Sequence, residues 1–225
     1  MESTYWNSAF TVEVAQIMNE RYSNKSFFHG RGLEPTFKYY KETGILNESI
    51  TGKKIDYDYF LLEYRQGWFK EKQWFYADYM TPEYTVQKEG VPLFGIFKAL
   101  KTQLKERPDL TAENAGRNIT PRGFEWSRYL IAPEAGLYKF AVFSAFQHKL
   151  WIDKVEVKSL RPQRFPSFVE YRMNLNKGVH TVDFLFPNAK KQLEFYLVWA
   201  TPSGEKGLIP PDALIAPRTA PHPAP

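Results

Sequence analysis

Helical periodicity fills the first hundred residues of this chain and is almost absent afterwards, so one polypeptide has to build two different architectures. Phe10, Val14, Ile17 and Met18 recur at the spacing of one helix face, which predicts a helix from Ser8 to about Arg21. Lys25–His29 reads as a short strand. Pro35 takes a favoured first-turn position and Gly44 a C-cap position, bracketing a helix over Glu34–Thr43. An aromatic strand over Tyr57–Tyr64 follows, then a helix over Phe69–Met80 that stops at Thr81 and Pro82. Tyr84–Lys88 and Pro92–Lys98 flank Glu89 and Gly90, a hairpin signal. Strands parted by helices predict a small, mostly parallel sheet with an antiparallel edge, an α/β domain over residues 8–98.

Ala99–Arg107 reads as a short basic helix inside a linker over residues 99–108. From about Gly123 the pattern is short strands cut by turn residues: Phe124–Ala132, Leu137–Ser144, Lys149–Val157, Phe168–Asn174, Val179–Phe186 and Gln192–Ala200. Val182, Phe184 and Phe186 alternate with Thr181, Asp183 and Leu185. This spacing predicts an antiparallel β-sandwich over residues 109–216, followed by a proline-rich disordered tail over 217–225. The fold class is therefore α+β in two domains.

A length of 225 residues suits such a pair, and 17% aromatic residues argue against disorder. Zero cysteine removes disulfide scaffolds, zinc–thiolate sites and thiol catalysis together. The net charge of +5 is unevenly placed: residues 1–98 carry 12 Lys+Arg against 13 Asp+Glu, and the remainder 18 against 12. No apolar run approaches the roughly 18–20 residues that span a bilayer, and the N-terminus lacks a signal-peptide profile. The expectation is a soluble, folded, mildly basic chain.

Four pieces of the second half resemble the fourteen-kilodalton protective-antigen module, a β-sandwich of glycosidases, adhesins and toxins. Gly136, Tyr138 and Phe140 match its "Gly-x-Tyr-x-Phe" strand; Leu150, Ile152 and Asp153 match "Leu-x-Ile-Asp". Gly178 and His180 match "Gly-x-His", a histidine the resemblance makes structural. Val198, Trp199, Gly207–Pro211 and Leu214 match the closing segment. Lectin-like members carry paired aspartates before "Leu-x-Ile-Asp", where this chain has Ser144–Lys149. Ala145 and Phe146 offer no side-chain oxygen to a cation that takes six to eight, so no calcium site is carried over.

The first half resembles the extracytoplasmic C-terminal domain of polytopic membrane glycosyltransferases of the protein mannosyltransferase superfamily. The match rests on Asp56–Tyr64, Pro82–Val86, Gly90–Leu93 and Ile96–Lys98. The resemblance implies a polyprenyl-phosphate sugar donor and a chain cut from a longer membrane protein, periplasmic or at the cell surface. It also implies that the catalytic carboxylate lies elsewhere, on a loop between membrane spans.

Candidate site residues follow from chemistry. His29 and Arg31 stand at a strand end in a Gly-rich turn with Gly30 and Gly32; a third small residue of the dinucleotide pattern is missing, because Pro35 sits there. A tight turn is the ordinary reading, and contact with an anionic group the functional one. Trp68, Phe69, Trp74, Phe75, Tyr76 and Tyr79 crowd one helix and its lead-in. Core or interdomain packing explains them; Trp68 and Trp74 are the candidates for sugar stacking or membrane-interface contact. Lys154, Lys158, Arg161, Arg164 and Arg172 form a basic run opposed by Glu156 and Glu170. It reads as solvated surface or, functionally, as contact for anionic lipid or a phosphorylated glycan through Lys158, Arg161 and Arg164, with nucleic acid disfavoured. Asp56 and Asp58 share a strand face as a possible acid–base pair. No two of His29, His148, His180 and His222 stand at metal spacing, and no cofactor is implied. The expected function is a non-catalytic extracytoplasmic region of a membrane glycosyltransferase that positions a glycan acceptor or lipid-linked donor. The alternative is a free carbohydrate-binding module or adhesin fragment without a calcium site.

Overall fold

In the computed structural model, the structure describes residues 9–30, 32–64, 69–101, 103, 119–144, 146–160, 167–187, 189 and 195–215. The chain divides into two units, Met1–Arg107 and Pro108–Pro225. The first contains α1 (Val12–Arg21), β1 (Ser26–His29), α2 (Glu34–Glu42), β2 (Thr51–Gly52), β3 (Tyr59–Glu63), α3 (Glu71–Tyr79), β4 (Tyr84–Lys88) and β5 (Val91–Lys98). Its sheet runs β2-β1-β3-β5-β4. β2, β1 and β3 are parallel, while β5 and β4 add an antiparallel hairpin. The antiparallel part is thus more than an edge: β5 pairs along all of β3. Glu89 (φ 53°) and Gly90 (φ 79°) close the hairpin in the left-handed conformation such two-residue turns require.

Alternation along the strands sorts the side chains onto two faces. Phe27, Tyr59, Leu61, Phe94 and Ile96 pack with Val14 and Met18 of α1 and Phe37 and Tyr40 of α2. Phe28, Phe60 and Phe97 turn to the opposite face, where α3 lies: Tyr76 stacks on Phe60 at 4.1 Å and meets Phe97 edge-on at 5.5 Å. Phe28 stacks on Phe60 at 5.3 Å. So α2, which follows β1, and α3, which follows β3, cover opposite faces of the sheet. Of the expected helix Ala99–Arg107, Ala99 is described but not helical, Leu100, Lys101 and Gln103 are helical, and residues 102 and 104–107 lie outside the described residues.

The second unit is an antiparallel β-sandwich. Its strands are β6 (Ile119–Thr120), β7 (Gly123–Ala132), β8 (Gly136–Ser144), β9 (Lys149–Ile152), β10 (Val155–Val157), β11 (Ser167–Leu175), β12 (Gly178–Phe186), β13 (Phe195–Ala200), β14 (Lys206–Leu208) and β15 (Leu214–Ile215). One sheet runs β10-β9-β12-β7-β15 with β6 on β7, the other β11-β8-β13-β14. Inward residues of the first, including Trp126, Leu150, Ile152, Val182 and Phe184, pack against Tyr138, Phe140, Tyr171, Phe195 and Trp199 of the second. The single strand expected over Lys149–Val157 is a hairpin instead. Asp153 (φ 50°) and Lys154 (φ 68°) both take the left-handed conformation and reverse the chain. The proline-rich tail lies outside the described residues.

Candidate functional site

In an open sheet, a crevice opens at the carboxyl ends of two neighbouring parallel strands whose following helices lie on opposite faces. β1 and β3 are such a pair, and a cavity of about 450 Å³ lies at their carboxyl ends. Leu33, the N-cap of α2, and Lys70, the N-cap of α3, both line it, so two helices begin at one opening. Gly30 and Gly32 leave the turn after β1 low. Phe28, Leu61, Leu62 and Phe69 make the wall mostly apolar, with Glu63 and Gln73 as its other polar residues.

First-turn amides of a helix have no intrahelical acceptor and sit at its positive end. Here two such ends meet at one opening that Lys70 lines, although in the first turn of α2 Pro35 has no N–H to offer and Glu34 adds a carboxylate. Gln73 accepts a hydrogen bond from the Lys70 amide through Oε1 (3.1 Å), and its Nε2 would lie 3.6 Å from a Cβ placed on Gly30. A side chain at position 30 would therefore sit in contact with that amide. Lys72, one residue into α3, holds its ammonium 4.4 Å from the Phe28 ring centre and 4.8 Å from that of Tyr57. Burial, with Lys101 adding to it, keeps its pKa below the usual lysine range. Against these cations stand Glu34, in the first turn of α2, and Glu63, whose Oε1 accepts a hydrogen bond from the Ala9 amide at 3.2 Å. The described lining holds one carboxylate and no hydroxyl, thiol or imidazole. It suits a ligand with an anionic group at the helix ends and an apolar body against the wall, and it offers no nucleophile–base pair.

The structure separates several residues that the sequence suggested together. His29 ends β1, but its ring stacks on Phe37 at 4.5 Å, under α2, and does not line the crevice. Burial pushes its pKa down, against the pull of Glu34 and the Gly30 backbone. Arg31 and Trp68 lie outside the described residues, as do Arg161 and Arg164. Trp74 packs edge-on against Phe69 at 5.0 Å. Phe75, Tyr76 and Tyr79 are buried, so packing takes up most of the aromatic cluster. Lys158 lines a separate open cleft of about 530 Å³ on the sandwich, with Lys149, Glu156 and Gln147.

Asp56 and Asp58 precede β3 rather than share its face. Asp56 pairs with Lys101 at 3.2 Å, and Asp58 accepts hydrogen bonds from the Ser26 amide (2.9 Å) and hydroxyl (2.8 Å). Burial opposes the Asp58 charge, but those hydrogen bonds and the nearby Lys25 and Lys53 keep its pKa below the usual range. Both acids are tied to structural partners. Among the described residues no group of three or more His, Asp or Glu is placed to hold a metal, and no helix is long and apolar enough to cross a membrane. Lys70 and Gln73 were missed by sequence reasoning. They stand about forty residues from Gly30 and Gly32, and only the topology joins them.

No protein-family model matches the chain, and no curated protein matches it. Solved structures that resemble part of it include an anti-sigma factor domain-containing protein from Clostridium clariflavum (16% identity, TM-score 0.35, covering 47% of this chain and 37% of that one). A second anti-sigma factor domain-containing protein matches at 19% identity and TM-score 0.36, covering 44% of this chain and 34% of that one. The PA14 domain of the MpAFP antifreeze protein matches at 15% identity and TM-score 0.33, covering 40% of this chain and 49% of that one. This chain thus spans less than half the length of each of these solved chains.

Proposed function

We propose that the chain is a non-catalytic, extracytoplasmic part of a membrane glycosyltransferase that uses a polyprenyl-phosphate sugar, and that its first unit positions the lipid-linked donor. The crevice between β1 and β3 carries this reading. A phosphate group suits the two converging helix N-termini and Lys70, while Phe28, Leu61, Leu62 and Phe69 suit a prenyl chain or the flat face of a sugar. The absence of a nucleophile or second acid in the described lining fits positioning, with bond transfer assigned to another part of a longer protein. The resemblance of the first half to such enzymes adds the donor class and the location outside the cytoplasm.

Titration calorimetry of the whole chain with a short-chain polyprenyl-phosphate hexose tests this. The same prenyl alcohol without phosphate and the free hexose serve as controls. Saturable binding of the phosphate compound, weakened at least tenfold when phosphate is removed, supports the reading. Equal affinity for the three compounds, or no binding at millimolar concentration, removes it.

A further inference from the structure

One end of the sandwich exposes a set of aromatic rings that its core does not use. Tyr138, Phe140 and Val142 of β8 point inward, as do Val169 and Tyr171 of β11 and Phe195 and Leu197 of β13. Strand alternation therefore turns Phe143, Phe168 and Tyr196 to the outer face of the smaller sheet. Register sets them in one row, Phe168 opposite Phe143 and Phe143 opposite Tyr196, with 6.5 Å between the last two ring centres. The next residue, Ser144, pairs with Ser167 and Phe195, the first residues of β11 and β13, so the row stands at the end of the sheet. Phe146 follows in the loop that leaves β8. Leu160 reaches the same end, its amide donating to the Glu170 carbonyl at 2.9 Å. Phe143, Phe146 and Leu160 keep 39%, 38% and 45% of their surface exposed, and Phe168 and Tyr196 are half-buried. Five apolar side chains gathered at one end form a patch of the kind that marks an interaction surface.

The backbone at Phe146 needs no water. Its amide donates to Ser144 Oγ at 3.0 Å, and its carbonyl accepts from His148 Nδ1 at 3.1 Å. Ser144 and His148 are themselves 1% and 3% exposed, so both partners are fixed inside the fold. The ring is thus held out on a residue whose polar groups are already satisfied, the condition a segment must meet to enter an apolar medium. A protein partner could supply missing hydrogen bonds; the acyl region of a bilayer cannot. Lys149 and Lys158 line a cleft with Gln147 and His148, next to Phe146 in the same loop, and Glu156 is the one acid in its described lining. Residues 99–225 carry 18 Lys+Arg against 12 Asp+Glu, which adds a positive field.

We infer that this end of the sandwich inserts into the surface of an anionic lipid bilayer. Phe143, Phe146 and Leu160 enter the boundary between headgroups and acyl chains, and Lys149 and Lys158 meet the lipid phosphates. Long lysine stems let the ammonium groups reach back to the headgroups while the rings sit deeper, and the Tyr196 hydroxyl suits the headgroup level. Lysines alone would give a contact that salt abolishes; the rings add one that salt leaves in place. The inference uses the second unit alone and does not depend on the crevice of the first.

The test is flotation of the whole chain with phosphatidylcholine vesicles, with and without phosphatidylglycerol, in low salt and in salt of about 1 M, where the Debye length is about 3 Å. The anionic vesicles should bind the chain roughly tenfold more tightly than the neutral ones at low salt. Phe143→Ala and Phe146→Ala should each weaken binding about fivefold in both salts, while Lys149→Ala and Lys158→Ala should each weaken it about fivefold in low salt only. The chain has no cysteine, so Phe146→Cys offers one attachment point for a polarity-sensitive fluorophore. Its emission should shift to the blue on anionic vesicles. The same label at Lys177→Cys, exposed in the turn between β11 and β12 at the other end, should not respond. The label needs no ring truncation elsewhere, so its result stands even if Phe143→Ala disturbs folding. No binding to anionic vesicles overturns the inference, as does an equal response from the two labels or an affinity that neither ring substitution changes.

Discussion

Asp153 Oδ2 lies 2.6 Å from His180 Nδ1, while the Asn176 carbonyl accepts from His180 Nε2 at 2.8 Å. Both ring nitrogens therefore face acceptors, an arrangement that favours the doubly protonated imidazolium, which can donate to both. Asp153 Oδ1 also accepts from the Thr181 amide at 2.8 Å, fixing the left-handed turn that separates β9 from β10. The pair locks two strands of one sheet together at their ends.

This pair gives the sandwich a pH-dependent stability. Burial works against the His180 charge, but the hydrogen bonds to Asp153 and Asn176 and the Asp153 charge outweigh it and raise the pKa. Its contribution is complete below the ordinary histidine value of about 6.5 and is lost as pH rises through the folded value. Burial also opposes the Asp153 charge, and the His180 and Thr181 hydrogen bonds overcome it and lower that pKa. The Asp153 share is present above about pH 3.9 and is lost as pH falls through its folded value. The Tm of the sandwich transition should peak between about pH 4 and 6.5 and fall on the alkaline side. Asp153→Asn should flatten the alkaline fall and cost about 1 kcal/mol near pH 6, a modest figure because the carboxylate is half exposed. Thermal melts by circular dichroism across pH 4–9 check both.

Gly123 is a backbone requirement. Its φ is 129°, and a Cβ there would lie 2.3 Å from the Phe186 carbonyl oxygen and 2.7 Å from the Pro187 Cα. Both obstacles are main chain and cannot swing aside. Gly123→Ala should destabilise the sandwich by about 2–4 kcal/mol. Chemical denaturation should show a lower midpoint for the second unit.

Tyr76 anchors α3 to its face of the sheet. The ring stacks on Phe60 at 4.1 Å, and its hydroxyl accepts from the buried Leu100 amide at 3.2 Å. Tyr76→Phe should cost about 1–3 kcal/mol by leaving that amide unsatisfied. Tyr76→Ala should cost about 3–5 kcal/mol through the cavity it opens. Equilibrium unfolding of the two variants separates the hydroxyl from the ring.

The two halves differ in how much of them could be read from sequence. Helix periodicity around Val14 and Met18, the Pro35 and Gly44 brackets, and the Glu89–Gly90 turn are local signals, and the elements form within a few residues of where those signals stand. Asp153 and Lys154 gave no such signal: neither is glycine, and the turn is held by Thr181 and His180, more than twenty-five residues away. β2, β14 and β15 are two or three residues long, too short for any period to show. His29 followed the right turn to the right sheet edge, but strand alternation points its ring toward Phe37. Lys70 and Gln73 reach the same edge only because α3 crosses to the other face.

Lys70 should matter to the crevice in a way salt reveals. Lys70→Ala should weaken binding of the short-chain polyprenyl-phosphate hexose about five- to tenfold and reduce its salt dependence, because an exposed charge pair is screened within about 10 Å at 0.1 M salt. Gln73→Ala should cost less, since the helix dipole remains. Calorimetry at two salt concentrations measures both, and thermal melts of the variants should match the parent within a few degrees.

The measurement that bears most directly on the proposed role is amide chemical-shift mapping of the whole chain with the short-chain polyprenyl-phosphate hexose. The expected result is saturable shifts at Gly30, Gly32, Leu33 and the first turn of α3, with β9 and β12 undisturbed. Shifts confined to the sandwich, or none in the β1–β3 crevice at saturating ligand, would contradict it.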